Sequence, residues 1–303
     1  MSAIETTYAD RPEWLQARRQ GLGASDAAAL FGESPWQSPM ALWAEKRGLT
    51  VHDEANVPEF IKWGLRLEPV IAKHFGEETQ REVIDVPPYT ISYEPTLPIL
   101  MATLDRKQRD FLAPKSVGVL ELKSTNQFMK SEWSEGAPLY YQIQAQHQMM
   151  VTGLAFASIA VLIAGAEFLW LDVPRHEDFI RELRQKCIGF WGLVVAGTAP
   201  PPDAHRATRD ALHRMFPKEQ VGEMVALPIA SAAWDEQRQK GKQLEKDAKL
   251  MIDEAEAHLK LSIGDNVGGV VPGVGASYTW KWQQKKSYVV AAQQNRILRR
   301  KGE

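Results

Sequence analysis

The chain predicts an α/β protein: a mixed β-sheet core covered by helices on both faces, followed by a long helix and a β-hairpin. Three observations carry that expectation. Helical periodicity dominates as far as Gln80, short β-branched and aromatic runs broken by proline follow from Val83 to Lys123, and helix then alternates with strand up to Ala196. Such an order places a sheet between helical layers. The run Ala199-Pro200-Pro201-Pro202-Asp203 stops any helix and makes a stiff extended connector. Beyond it the apolar positions thin to a narrow stripe and then give way to glycine-rich sequence. The expected organisation is a core over residues 1–198, a proline-rich connector with a short helical segment over 199–228, and a long charged helix with a C-terminal hairpin over 229–303.

From Glu13 to about Gly48 apolar residues recur at helical spacing. Ser25, before Asp26-Ala27-Ala28-Ala29-Leu30-Phe31, reads as an N-cap, and Gly32 ends that helix. A second helical unit follows Ser38-Pro39, and a third spans Glu59 to Gln80, with Phe60, Leu67, Ile71 and Phe75 among its apolar positions and Glu68 on another face. Pro87-Pro88, Pro95 and Pro98 punctuate a strand meander ending at Gly118-Val119-Leu120-Glu121-Leu122-Lys123. Tyr140 to Val151 reads as helix, Ala155 to Ala164 and Phe168 to Val173 as strands, and Arg175 to Ala196 as the closing helix. The distal helix, from about Ile229 to Ser262, carries Leu244, Ala248, Met251 and Ala255 in a thin stripe that suits docking on a neighbour more than a core of its own. Gly264 to Val290 reads as a hairpin with a basic aromatic arm at Tyr278, Trp280, Lys281, Trp282, Lys285 and Lys286, its tryptophans open between base stacking and strand packing.

Composition narrows the function. At 303 residues, 44% hydrophobic and 24% charged, the chain suits a globular protein with a sizeable core. The longest apolar run, Gly153 to Ala166, is broken by Ser158 and Gly165, and no basic-then-apolar leader opens the chain; a cytosolic protein without a membrane partner is expected. One cysteine, Cys187, excludes a disulfide framework and a cysteine metal centre. A net charge of −2 argues against coating nucleic acid by bulk attraction, so any DNA contact is local.

The chemistry centres on Asp105, followed sixteen residues later by Glu121-Leu122-Lys123. In a strand Glu121 and Lys123 project from one face while Leu122 points to the other. Two carboxylates at one sheet edge suit a hard divalent cation such as Mg2+, and a nearby ammonium suits orienting or deprotonating a water against a phosphodiester. By itself a Glu-x-Lys usually decorates a solvated strand; the apolar runs before Asp105 and Glu121 are what deliver both acids to one edge. Gly21-Leu22-Gly23-Ala24-Ser25 lacks the preceding strand and third glycine of a dinucleotide fingerprint, and the seven histidines show no metal-ligand spacing.

Taken with their neighbours, these residues resemble the lambda-type exonucleases and YqaJ-like phage recombinases of the PD-(D/E)xK nuclease superfamily, over roughly residues 11 to 175. Arg18-Arg19-Gln20-Gly21-Leu22-Gly23-Ala24-Ser25-Asp26 looks like the family's opening signature. Ser34-Pro35-Trp36 with Leu42-Trp43, Trp63-Gly64-Leu65-Arg66-Leu67-Glu68-Pro69, and Tyr141-Gln142-Ile143-Gln144-Ala145-Gln146 resemble its next motifs in order. Leu104 stands where the superfamily name has proline, which affects a turn and not a ligand. The resemblance implies a restriction-endonuclease-like mixed sheet flanked by helices. It implies Asp105, Glu121 and the carbonyl of Leu122 as metal ligands with Glu68 as a further acid, Lys123 acting on the water, Gln144 orienting Lys123 or the water, and Arg18, Ser25 and Tyr141 on the substrate side. Plainer readings stay open beside these: Ser25 as a helix cap only, Arg18 as solvated surface, Gln144 on a polar face with Gln142, Gln146 and Gln148, and Glu68 paired with Arg66 or Lys62.

The activity implied is that of a Mg2+-dependent 5′-to-3′ exonuclease on double-stranded DNA ends, with Mn2+ as a substitute metal, leaving 3′ single strands for phage-type recombination. A phage or prophage origin in a bacterial cytosol, a closed homo-oligomer such as a trimeric ring, and a single-strand annealing protein as partner are implied with it. The alternatives are a structure-specific endonuclease of the same superfamily and a non-catalytic DNA-end-binding assembly protein.

Overall fold

The computed structural model describes residues 3–50, 58–110, 116–219, 224–284, 298 and 300. The chain divides into two compact units, Met1–Pro217 and Lys218–Glu303. The first contains strands β1 (Ile4–Thr7), β2 (Glu82–Asp85), β3 (Thr90–Tyr93), β4 (Met101–Ala102), β5 (Arg106–Arg109), β6 (Val117–Thr125), β7 (Phe156–Ile163) and β8 (Glu167–Pro174). Its helices are α1 (Arg11–Arg18), α2 (Ala24–Leu30), α3 (Pro39–Lys46), α4 (Glu59–Thr79), α5 (Leu139–Thr152), α6 (Glu177–Ala196) and α7 (Arg206–Met215).

The main sheet has the order β2-β5-β6-β7-β8. It is mixed, because β6 and β7 run parallel while the other neighbours are antiparallel. A parallel pair needs a crossover, and α5 supplies it. The expected single meander is in fact divided: β3 and β4 leave the main sheet and pair with β1 in a separate three-stranded sheet. Prolines on either side of β3 end each run before it can extend the main sheet.

Alternation along β6 sorts its side chains. Leu120 and Leu122 pack with Ile71, Ala72 and Phe75 of α4 on one face. Val119 joins Ile159, Val161 and residues of α2, α5 and α6 on the other. Helices therefore cover both faces, as the sequence predicts, and Glu121 and Lys123 fall on the α5 side. Cys187 is a core residue, and burial pushes its thiol up to about 12. No helix among the described residues is long and apolar enough to cross a membrane.

Beyond the prolines, Thr208 of α7 shares a 2.7 Å hydrogen bond with Ser38, the N-cap of α3, and Ala211 is buried in the main core. The first compact unit thus continues through the connector to Pro217. The second unit contains α8 (Ser231–Ile263) and an antiparallel hairpin of β9 (Gly268–Val270) and β10 (Ser277–Thr279). Of its aromatic arm, Trp280 and Trp282 are exposed, and Lys285 and Lys286 lie outside the described residues.

His147, fully buried on α5, bonds through Nε2 to the Met101 carbonyl, and burial lowers its pKa to about 4. Unfolding frees it to take a proton at its ordinary value near 6.5. The unfolded state therefore binds more protons between those values, and stability falls as pH drops through that window. The loss expected from His147 approaches about 3 kcal/mol. Urea melts at pH 7 and pH 5 check it: His147→Gln should show a shallower decline than the wild type.

Candidate active site

The site forms where β5 stops and β6 continues. Pairing between them ends at Arg106 opposite Leu120. The next amide facing that edge, on Leu122, would lack a strand partner, and Asp105 Oδ2 accepts it at 2.8 Å. Asp105 is therefore fixed at a bend between β4 and β5, beside Glu121 rather than within a long strand.

Glu121 is only 2% exposed, and both its oxygens are engaged. Oε1 accepts from Lys123 Nζ and from Gln144 Nε2, each at 2.5 Å, and Oε2 accepts from Gln148 Nε2 at 2.6 Å. Lys123 Nζ also lies 4.7 Å from the centre of the Tyr141 ring. Glu68 pairs with neither Arg66 nor Lys62, since Glu59 takes both of them. Its field is that of Arg106, Glu121 and Lys123, which places it at the same cluster.

The electrostatics follow from burying several acids with few cations. Burial, then the charge of Glu121, pushes the Asp105 carboxyl well above its ordinary range. Glu68 is also raised, by burial first and by Glu121, against the pull of Arg106. For Lys123 burial works against the charge, but Glu121 and Asp105 outweigh it and the pKa rises. Lys123 is thus a firmly held ammonium, suited to orienting a water or stabilising a phosphoryl charge and not to removing a proton.

Among the described residues no three of His, Cys, Asp and Glu stand at metal-ligand spacing. Lys123, Gln144 and Gln148 donate to the oxygens of Glu121, and Asp105 accepts the Leu122 amide. The donor set nonetheless suits a hard cation in chemistry, being carboxylate oxygens whose mutual repulsion a positive charge relieves.

A cleft of about 630 Å³ is lined by Arg18, Arg19, Ser25, Trp36 and Lys46 among others. Arg18 Nη2 reaches Ser25 Oγ at 3.4 Å, and its guanidinium stacks on Trp14. Ser25 is not the N-cap of α2. Gly23 takes that place, and Asp26 accepts the Gly23 amide at 2.9 Å, which leaves the Ser25 hydroxyl for other bonds. Gly21 is required by a close approach: a Cβ there would sit 2.4 Å from the Ile99 carbonyl oxygen, which accepts the Leu22 amide. Burial works against the Asp26 charge, but Lys46 at 2.8 Å holds its carboxyl below the usual range. Trp36 lines this cleft and contacts the rings of Tyr140 and Tyr141, so the cleft adjoins Lys123 through Tyr141.

Gln148 is the member that sequence reasoning missed. Its Nε2 bonds Glu121 and, at 3.3 Å, the Thr103 carbonyl just before Asp105, so one buried amide braces the two acid-bearing segments. Helical i,i+4 spacing from Gln144 was the available signal. Gln146, by contrast, is structural: it bonds the Pro174 carbonyl and the His176 amide. Gln148→Met keeps the volume and loses the brace. It is expected to cost roughly 1–3 kcal/mol of stability in a denaturant melt, because a buried carboxylate oxygen loses its donor.

The mixed sheet with its helical crossover has a known counterpart. The fold matches that of LHK-Exo, an alkaline exonuclease from Laribacter hongkongensis. The TM-score is 0.50 against its complex with dAMP and 0.49 against the structure described without it, each at 20% identity over 62% of this chain and 94% of that one. A family model described as the YqaJ-like viral recombinase domain matches residues 13–155. The uncharacterized protein YqaJ of Bacillus subtilis (strain 168) is 30% identical over 229 residues, 73% of this chain and 68% of that protein. The chain belongs to the YqaJ-like viral recombinase family.

Proposed function

We propose that this chain is a Mg2+-dependent exonuclease that degrades the 5′-ended strand of linear duplex DNA and leaves a 3′ single strand for recombination. The observation that carries the reading is the convergence of Asp105, Glu121, Lys123 and Gln144 where β6 runs on past the end of β5, linked through Tyr141 and Trp36 to a cleft holding Arg18 and Ser25. The recombinase family and a fold shared with an alkaline exonuclease support it.

Asp105, Glu121 and the Leu122 carbonyl would hold the Mg2+, with Glu68 as a further acid; Mn2+ would suit the same oxygens. When bound, the ion supplies Lewis-acid polarisation of the phosphate and a lowered water pKa. The remaining work falls to the chain. Lys123, kept charged by its two acids and seated over Tyr141, directs a proton donor at the attacking water or a phosphoryl oxygen. Gln144 fixes the carboxylate of Glu121 through one oxygen. Arg18 would grip the terminal 5′-phosphate with its planar fork, helped by Ser25, while Tyr141 packs against the substrate beside Trp36. A closed homo-oligomer, such as a trimeric ring, would retain DNA by topology, which accords with a net charge of −2; an annealing protein would receive the exposed strand.

Linear duplex should be consumed with Mg2+ and spared with chelator, while covalently closed circles stay intact; cleaved circles would favour a structure-specific endonuclease. Arg18→Ala should reduce the preference for 5′-phosphorylated over 5′-hydroxyl ends by about tenfold or more, the worth of a charged hydrogen bond. An unchanged ratio of initial rates would remove Arg18 from that role.

A further inference from the structure

Helix α8 has 33 residues, hence a length of about 50 Å, yet Ile263 is its only buried residue among those described. Helices of this kind depend on packing from a neighbour. One end has such a neighbour within the unit, since Ile263 lies against Gly269 of β9. The stretch from Trp234 to Met251 lies beyond that contact; Arg300 meets it at Asp235, outside the rows described next. There Trp234, Gly241 and Ala248 form one row at seven-residue spacing, and Gln237, Leu244 and Met251 form the second row of a two-stranded seam. Trp234, Leu244 and Met251 are 58%, 60% and 72% exposed. Arg238 and Glu245 flank the seam on one side, Lys240 and Asp247 on the other.

We infer that α8 pairs antiparallel with α8 of a second copy of this chain over Trp234 to Met251, with the symmetry axis between Lys242 and Gln243. Three features single out this occupant and direction. Reversing the second helix sets Trp234 opposite Met251 and Gly241 opposite Leu244, so a large side chain meets the gap left by glycine. A parallel pair in register would oppose Gly241 to itself and leave a void. The antiparallel register also brings Arg238 alongside Glu245 and Lys240 alongside Asp247, each twice by symmetry, and opposes the helix dipoles. The competing bonds within one helix, Lys242 to Glu245 and Gln243 to Asp247, are exposed and cheap to rearrange. The pairing does not depend on the reading of the acid cluster.

Light scattering on the full chain tests it with two charge-reversed variants. Arg238→Glu with Lys240→Glu should halve the wild-type particle mass, and Glu245→Lys with Asp247→Lys should do the same, because each gives all four positions flanking the seam one sign of charge. An equimolar mixture should restore the wild-type mass. Far-ultraviolet circular dichroism should lose helix signal in each variant alone and regain it on mixing, because α8 loses and then recovers its neighbour. Wild-type mass in either variant, or no recovery on mixing, overturns the pairing. Direction is read separately by oxidising cysteine variants: Gly241→Cys mixed with Leu244→Cys should cross-link, while Gly241→Cys cross-linking to itself would contradict the antiparallel register. The native Cys187 is buried and adds no background.

Discussion

Asp105→Asn is expected to lower hydrolysis of linear duplex by roughly three orders of magnitude while raising the stability of the metal-free protein. The first effect follows from losing a charged oxygen ligand, since metal stabilisation of transition-state charge is worth several kcal/mol, or about a factor of ten for each 1.4 kcal/mol. The second follows from the environment of the carboxyl. Burial and the neighbouring Glu121 raise its folded pKa, so the native state binds more protons than the unfolded one above the ordinary carboxylate range. Stability is then fully present at low pH and is lost as pH rises through the shifted value. Asparagine retains an acceptor for the Leu122 amide and carries no charge to bury. Thermal melts in chelator at pH 7 should place the variant above the wild type. A lower melting temperature would mean that the acid is not repelled where it sits.

Lys123→Met should act in the opposite direction on stability and in the same direction on activity. The ammonium is the charged partner of Glu121, which is buried, so removing it leaves a desolvated charge without a cation and is expected to cost about 3 kcal/mol. Activity should fall with it, because no other charged donor is placed between Glu121 and Tyr141 among the described contacts. Adding Glu121→Gln should recover most of the lost stability but none of the activity, and that non-additivity separates an ion pair from general packing. Denaturant melts of the two single variants and the double variant measure it. Equal and additive losses would show that the pair is not coupled.

The sheet edge was legible because β-strand alternation is strict: it puts Glu121 and Lys123 on one face and Leu122 in the opposite core. Helices α4, α5 and α6 were legible for a similar reason, their apolar residues recurring at one spacing. What the sequence hid depended on distant partners. Gln146 and Gln148 look like a polar face, yet both are buried because their amides meet the Pro174 carbonyl, Thr103 carbonyl and Glu121, residues brought in by other elements. Ser25 satisfied the usual preference for a cap, but Asp26 reaching back to the Gly23 amide moved the helix start. Strand β1 is exposed along its length and shows no alternation; it exists because β3 offers an edge. The donors that meet Glu121, one ammonium and two amides, were hidden in the same way, since Gln144 and Gln148 reach it from another element.

The most direct measurement is digestion of a linear duplex labelled on one strand at either the 5′ or the 3′ end, with Mg2+, by the wild type and Asp105→Asn in parallel. The wild type should release the 5′ label first as a mononucleotide while the 3′-labelled strand shortens progressively, and Asp105→Asn should release neither. Early release of the 3′ label would contradict the polarity, and digestion by Asp105→Asn at the wild-type rate would contradict the site itself.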